Sequence, residues 1–196
     1  NLLGVVAGMR TLGVPLADAV AVCARLHSVP GRMQCVAAPG QPLVAVDYAH
    51  TPDALDKAVA ALRPVTTQRG GALWCVFGCG GDRDPAKRPL MGRAAAAADR
   101  VVVTSDNPRG EAPEAIITQI LPGLQGHAHV RREADRARAI TETLAAAAPA
   151  DVVLVAGKGH EDYQEIAGVK RPFSDLAAVR AALAARGQHA PEGAAA

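Results

Sequence analysis

Aromatic side chains are scarce: one tryptophan, two tyrosines and two phenylalanines stand among 196 residues. Since 49% of the residues are hydrophobic all the same, the core has to be assembled from Ala, Val, Leu and Ile. No apolar run reaches the roughly 18–20 residues that cross a bilayer. No basic segment followed by an apolar stretch and a cleavage site opens the chain. Charge bias is also missing, with 21 basic against 19 acidic residues, which argues against a nucleic-acid partner or an anionic membrane surface. Cys23, Cys35, Cys75 and Cys79 form no C-x-x-C pair. Reduced, packed thiols are therefore expected, as in a cytosolic protein, and no structural zinc.

Familiar catalytic signatures are absent too. "GCGGDRD" lacks the G-x-G-x-x-G spacing of dinucleotide folds, which leaves an NAD-dependent oxidoreductase the weakest reading. "AGKGH" has no Ser or Thr after its lysine and no glycine five residues earlier, so it is not a phosphate loop. No nucleophile elbow occurs. Taken singly, the glycine-rich stretch reads as a tight turn, His50 and His160 as hydrogen-bonded loop histidines, and "RREADRARA" as a solvated helix face.

What is present is regular alternation. "NLLGVVAGMRTLG" and "PLADAVAVCARLHSV" read as two helices, the first ended by glycine and the second opened by Pro15. Two short β-like runs, Met33–Ala37 and Leu43–Val46, flank "APGQP" as a hairpin, and a domain boundary is placed near Pro30-Gly31. "TPDALDKAVAALRP" is a helix with Thr51 as N-cap and Leu55, Val59 and Leu62 on one face. There follow strand "ALWCVFG", helix "PLMGRAAAAAD", strand "RVVVTS", helix "APEAIITQILPG" closed by Pro and Gly, and weak strand "HAHVRR". Helix "EADRARAITETLAAAA", strand "DVVLVAG", hairpin "EDYQEIAGVKRPF" and a helix capped by Ser174 and stopped by Gly187 complete the pattern. The tail, residues 188–196, is expected to be disordered. Continuous apolar strands alternating with helices predict an α/β fold: a Rossmann-like, mostly parallel sheet with helices on both faces and a leading hairpin. Right-handed crossovers place the strand C-terminal ends along one edge, where ligands bind in such sheets. The unusual polar residues all follow strand ends: Asp47 to His50, "GCGGDRD", "SDNPR" and "GKGHED".

Together, "VPGRMQ", "VDYAHTPDAL", "FGCGGDRDPAKRPLMG", "TSDNPRGEAP" and "AGKGHEDYQ" occur in an order and spacing that closely resembles the Mur ligase family. "DNPR" is similar to its diaminopimelate-adding members. The resemblance runs to about Arg186. It implies residues 1–29 as the end of a central ATP-binding domain and 30–196 as the C-terminal domain. It further implies an ATP-dependent, Mg²⁺-requiring, cytoplasmic amide ligase of peptidoglycan precursor synthesis that adds meso-diaminopimelate to UDP-N-acetylmuramoyl-L-alanyl-D-glutamate. The family activates the acceptor carboxylate as an acyl phosphate, which the incoming amine attacks. Its phosphate loop and the carbamylated lysine that holds Mg²⁺ have no counterpart in these residues, so no catalytic or metal-binding residue is assigned here. The missing N-terminal and central domains are then partners of this part, and a chain opening on Asn1 is expected to be a fragment or a processed protein.

The resemblance assigns meso-diaminopimelate to Arg83, Asp106, Asn107, Pro108, Arg109, Gly157 and Glu161, and ATP to Asn1, Arg32, Asp47, Tyr48 and His50. Physical chemistry fits these roles. Diaminopimelate carries one carboxylate more than lysine and calls for a cation with two parallel donors, which Arg109 has and a lysine lacks. Pro108 stiffens the loop before the ligand arrives. Asn107 can offer both an amide donor and a carbonyl acceptor. Arg83 is implied for a second carboxylate, and the Gly157 backbone with Glu161 for the ammonium. Arg32 suits a transferring phosphoryl group, and Asp47 a ribose hydroxyl or a closure contact. The rival readings are a non-catalytic amino-acid- or nucleotide-binding module, or a sister ligase for lysine, D-glutamate, a dipeptide or folylpolyglutamate.

Overall fold

The computed structural model describes residues 2–23, 25–26 and 29–188; Asn1 and the tail from 189 onward lie outside the described residues. Helices α1 (Leu2–Thr11) and α2 (Leu16–Cys23) pack on each other. Strand β1 (Gln34–Val36) then turns back antiparallel onto β2 (Leu43–Asp47), with Cys35 opposite Ala45. This is the expected hairpin. Strands β3 (Leu73–Phe77), β4 (Arg100–Val103), β5 (Val130–Arg132) and β6 (Val152–Ala156) join β2 in parallel, in the order β1-β2-β6-β3-β4-β5. The chain leaves β2, skips a position, lays down β3, β4 and β5, and returns to fill the gap with β6.

Alternation within each strand sorts the core into two layers. Ala45, Leu73, Cys75, Phe77, Val101, Val103, Leu154 and Ala156 share one layer with α3 (Pro52–Arg69), α4 (Lys87–Ala95) and α5 (Pro113–Ile120). Val44, Val46, Trp74, Val76, Val102, Val153 and Val155 face α6 (Arg136–Ala146) and α7 (Asp175–Gln188). Strands buried on both faces need apolar residues at every position, which explains their continuous valine-rich runs. A second sheet, β7 (Tyr163–Ile166) antiparallel to β8 (Val169–Pro172), is the expected hairpin. Among the described residues no helix is long and apolar enough to cross a membrane.

Several boundaries differ from expectation. Helix α3 runs through Pro64 to Arg69 and closes on Gly70 in the left-handed region at φ 69°. Its expected start holds, with the Thr51 hydroxyl accepting from Ala54 N and Pro52 following. Helix α4 begins two residues early at Lys87 and ends at Ala95, and α5 tightens into a 3₁₀ turn over Leu121–Leu124. Helix α2 ends at Cys23, earlier than expected. Gly187 does not stop α7, which continues through Gln188. "RREADRARA" is not a solvated helix face. Arg131 and Arg132 belong to β5, the Asp135 side chain caps α6, and Arg136 is buried. All four cysteines are free, but Cys35 is exposed, not packed.

Asp151 closes the end of the sheet opposite the polar loops. It is buried, and its carboxylate accepts from Ala72 N at 2.8 Å, Trp74 Nε1 at 2.8 Å and Ala148 N at 2.9 Å. Asp151→Ala strands those donors and is expected to cost about 3 kcal/mol of stability. Urea unfolding followed by the fluorescence of Trp74, the chain's one tryptophan, measures it; a loss under ~0.5 kcal/mol would show that water satisfies the donors.

Candidate functional site

The C-terminal ends of β2, β3, β4 and β6 lie level on one edge, as their register places Asp47 beside Ala156 and Phe77 beside Val103. The loops that follow them enclose a cleft of about 470 Å³, a size that suits a small polar molecule. Eight residues expected at a site line it: Tyr48, His50, Arg83, Asp106, Asn107, Arg109, Gly157 and Glu161. Arg32, Asp47 and Pro108 stand outside that lining, and Asn1 outside the described residues. Cys79 also faces the cleft, but burial pushes its thiol up to about 12, which makes it a packed thiol and not a nucleophile.

The β4 loop is held from the side by the β7–β8 hairpin. Arg109 N donates to Glu165 O at 3.0 Å and Ala167 N to Arg109 O at 2.7 Å, which clamps Arg109 at φ 51°. A non-glycine residue takes that conformation only where its surroundings impose it. Gln164 Nε2 donates to Ser105 Oγ and to Asp106 O, extending the clamp upstream. The guanidinium of Arg109 donates through Nη1 to Gly81 O at 2.8 Å and lies 3.8 Å from Glu165 through Nε. Nη2 is outside those contacts. Arg83 stands on the neighbouring loop, and a side chain at Gly80 would collide with Arg109 Nη1.

The same cleft is lined by the carboxylates of Asp106 and Glu161, and against both stands a lysine that the sequence reading did not single out. Lys158 is fully buried, and its Nζ donates to Asn107 Oδ1 at 3.0 Å and Glu161 Oε2 at 2.9 Å, with Asp106 Oδ1 at 3.8 Å. Asn107 Oδ1 also accepts from Glu165 N at 3.0 Å, and its Nδ2 donates to Glu161 Oε2 at 2.8 Å. Two donors therefore occupy the amide oxygen, and Asn107 keeps an N–H donor but no acceptor for a ligand. The expectation that it offers both is corrected here. Burial pushes the Asp106 carboxyl above its ordinary range although Arg136 and Lys158 pull it down. Burial would raise Glu161 as well, but the bonds from Lys158 and Asn107 bring it below its usual value. Gly157 sits at φ 119°, and a Cβ there would come within 2.7 Å of Asp106 Oδ2. The only signal for Lys158 in the sequence is its place between two glycines, which lets the backbone wrap round a buried ammonium.

The residues expected near a nucleotide form a neighbouring cluster. The Tyr48 ring stands 4.5 Å from His50 and 5.1 Å from His160, with the Arg32 guanidinium 5.1 Å from its centre. Asp47 accepts from Met33 N at 2.7 Å and Ala49 N at 2.8 Å, tying the segment after Gly31 to the end of β2. Gly31 itself, at φ 68°, packs so tightly on Gly159 and His160 N that no Cβ could fit.

In the wall of the cleft, buried Arg88 grips Glu111 with both terminal nitrogens, at 2.8 and 2.7 Å, and also bonds Gln119 and Gly80 O. The hydrogen bond from Arg88 holds the Glu111 carboxyl at about 2 against an ordinary 4.5. A depressed carboxylate stabilises the fold fully above its unfolded value, and that contribution is lost as pH falls through the folded one. An NMR titration of Glu111 should thus show a midpoint near 2, returning toward 4.5 in Arg88→Gln. An unchanged midpoint in the variant would assign the depression to another group.

A family model described as "Mur ligase, glutamate ligase domain" matches residues 31–159. The protein named UDP-N-acetylmuramoyl-L-alanyl-D-glutamate–2,6-diaminopimelate ligase in Acidovorax sp. (strain JS42) is 69% identical over 188 residues, covering 95% of this chain and 38% of that protein. Its namesake in Chromobacterium violaceum is 57% identical over 190 residues, 96% of this chain and 38% of that protein. A solved structure of a protein with the same name aligns over 93% of this chain and 37% of its own, with 43% identity and a TM-score of 0.74. The chain thus spans under two-fifths of the length of these relatives.

Proposed function

The chain belongs to the Mur ligase family through its glutamate ligase domain, and from that premise we propose that it is the amino-acid-binding part of an ATP-dependent ligase. The whole enzyme would join meso-diaminopimelate to UDP-N-acetylmuramoyl-L-alanyl-D-glutamate in the cytoplasm. One observation carries this reading: a single cleft is lined by two arginines, Arg83 and Arg109, and by the carboxylates of Asp106 and Glu161. A ligand with carboxylates at its ends and an ammonium beside one of them satisfies both sets. Pro108 holds the loop from behind, and the Gly157 backbone stands against the ammonium end.

In the reaction, the acceptor carboxylate takes the γ-phosphoryl group and ADP leaves. The amine nitrogen then attacks the acyl carbon, phosphate departs, and the amine's proton is released. The contribution of this chain is to orient the amine. Arg32, Tyr48 and His50 make a cationic and aromatic face fitted to ATP, and Asp47 braces that face. Among the described residues no group of His, Cys, Asp or Glu is placed to hold a metal. The family reading assigns Mg²⁺ ligands mostly from the rest of the enzyme. Exposed Leu3 on α1, Leu12 just after it and Val20 on α2 support reading residues 1–29 as the end of a central domain.

The test is phosphate release by the full-length protein with ATP, the UDP-linked dipeptide and either meso-diaminopimelate or lysine. Release that requires meso-diaminopimelate is expected. A preference for lysine would make this a sister ligase, and release that depends on no amino acid would refute the reading. The 196-residue chain alone is expected to turn over no ATP, since it contains no loop to cradle the phosphates.

A further inference from the structure

We propose that Lys158 is a positioning residue for the incoming amino acid, fixing Asn107 so that it offers only an N–H and Glu161 so that it keeps one oxygen free. The inference rests on the reading that this cleft takes the amino acid. Lys158 is fully buried and bonded to both residues, so it reaches no ligand itself and acts through them. An ammonium has three donors and no acceptor. Facing Asn107, it can bond only the amide oxygen, and the Glu165 N–H makes the same demand from the other side. A flip of the amide would set its NH₂ group against two donors, so Lys158 excludes it. The remaining N–H of Asn107 Nδ2 then addresses an anionic oxygen. Glu161 Oε2 receives both Lys158 Nζ and Asn107 Nδ2, which leaves Oε1 as the acceptor for an ammonium.

Charge completes the argument. Lys158 Nζ lies 2.9 Å from Glu161 Oε2 and 3.8 Å from Asp106 Oδ1, so it offsets the repulsion between the two carboxylates, while Arg136 also acts on Asp106. Glu161, bonded by Lys158 and Asn107, is held below its usual carboxylate range and stays an anion. That favours a zwitterionic end, whose ammonium is read by carboxylates and whose carboxylate is read by the Asn107 amide, over a plain amine.

The experiment uses the full-length enzyme and measures KM for meso-diaminopimelate and for ATP in Lys158→Met, Asn107→Ala and the double variant. Lys158→Met is expected to raise the amino-acid KM roughly 10- to 100-fold, the range for losing a hydrogen bond to a charged group. The ATP KM should stay within about 3-fold, and in the Asn107→Ala background the same change should add far less, because coupled residues are non-additive. A partly unfolded preparation lowers kcat but moves neither KM. Should Lys158→Met not fold at all, Lys158→Arg keeps the charge and donors and is expected to raise the amino-acid KM by a smaller factor. If both KM values are unchanged, or if the two single effects multiply fully, Lys158 is a structural cation and the proposal fails. Wild-type enzyme that turns over without diaminopimelate would instead overturn the functional reading on which the inference rests.

Discussion

Replacing Arg109 with alanine in the full-length enzyme is expected to lower kcat/KM for meso-diaminopimelate by roughly 30- to 5,000-fold, the range for truncating one member of a desolvated charge pair. The loss should appear mainly in KM. Arg109 lines the cleft at 22% side-chain exposure, with Nη2 outside its contacts to Gly81 and Glu165. A distal carboxylate placed there would lose its partner in the variant. Lysine lacks that carboxylate, so its poor use should change little, and the preference between the two amino acids should collapse. Arg109→Lys should restore only part, because a point charge cannot make a bidentate contact. The structure also supplies the competing explanation. Nη1 bonds the Gly81 and Asn107 carbonyls, so the side chain also braces the loop. A brace would serve both amino acids alike, and equal losses for diaminopimelate and lysine would assign Arg109 to that role alone.

The largest effect on stability is expected at Asp175. Arg136 and Asp175 are both fully buried and paired through two bonds, Nε to Oδ1 at 2.7 Å and Nη2 to Oδ2 at 2.8 Å. Arg136 also donates to Ser105 O at 3.0 Å and Ala156 O at 2.9 Å. It therefore joins the exits of β4 and β6 directly beneath Asp106 and Gly157. Asp175→Ala leaves a guanidinium buried without its anion, which costs about 3–5 kcal/mol, or on the order of 6–20 °C in Tm for a chain of this size. Combining it with Arg136→Met removes the stranded charge and should recover part of the loss. Recovery is incomplete because the Ser105 and Ala156 carbonyls then lose their donor. Thermal unfolding of the purified variants decides it, and a single variant within ~1 kcal/mol of wild type would mean that water reaches the pair.

Arg136 shows where reading along the chain reaches its end. In "RREADRARA" it is one of several arginines at helical spacing, and nothing local marks the one that points inward. Its partner lies 39 residues away. Lys158 is the same case, since a lysine in a glycine loop reads as exposed until Asn107, from a loop 51 residues earlier, is set against it. Helix ends slipped for a related reason. Pro64 is tolerated inside α3, at a cost of about 3 kcal/mol, because Leu55, Val59, Leu62 and Thr66 bury the helix on both sides of it. Gly187 costs only about 1 kcal/mol in the last turn of α7. The hairpins, the parallel strands and the convergence of four polar loops were legible, since alternation and turn chemistry act between near neighbours.

The sequence by itself determined the fold class, the family and the identity of the loops that make the cleft, because hydrophobic period and motif spacing are properties of adjacent residues. Only the tertiary structure decided the state of each group within it: that the amide oxygen of Asn107 is already taken, that Arg109 is clamped at a positive φ by a hairpin beyond it, and that a buried lysine balances the two carboxylates. Those facts depend on burial and on charges brought together from distant parts of the chain, and a buried polar group takes its character from the partners that satisfy it.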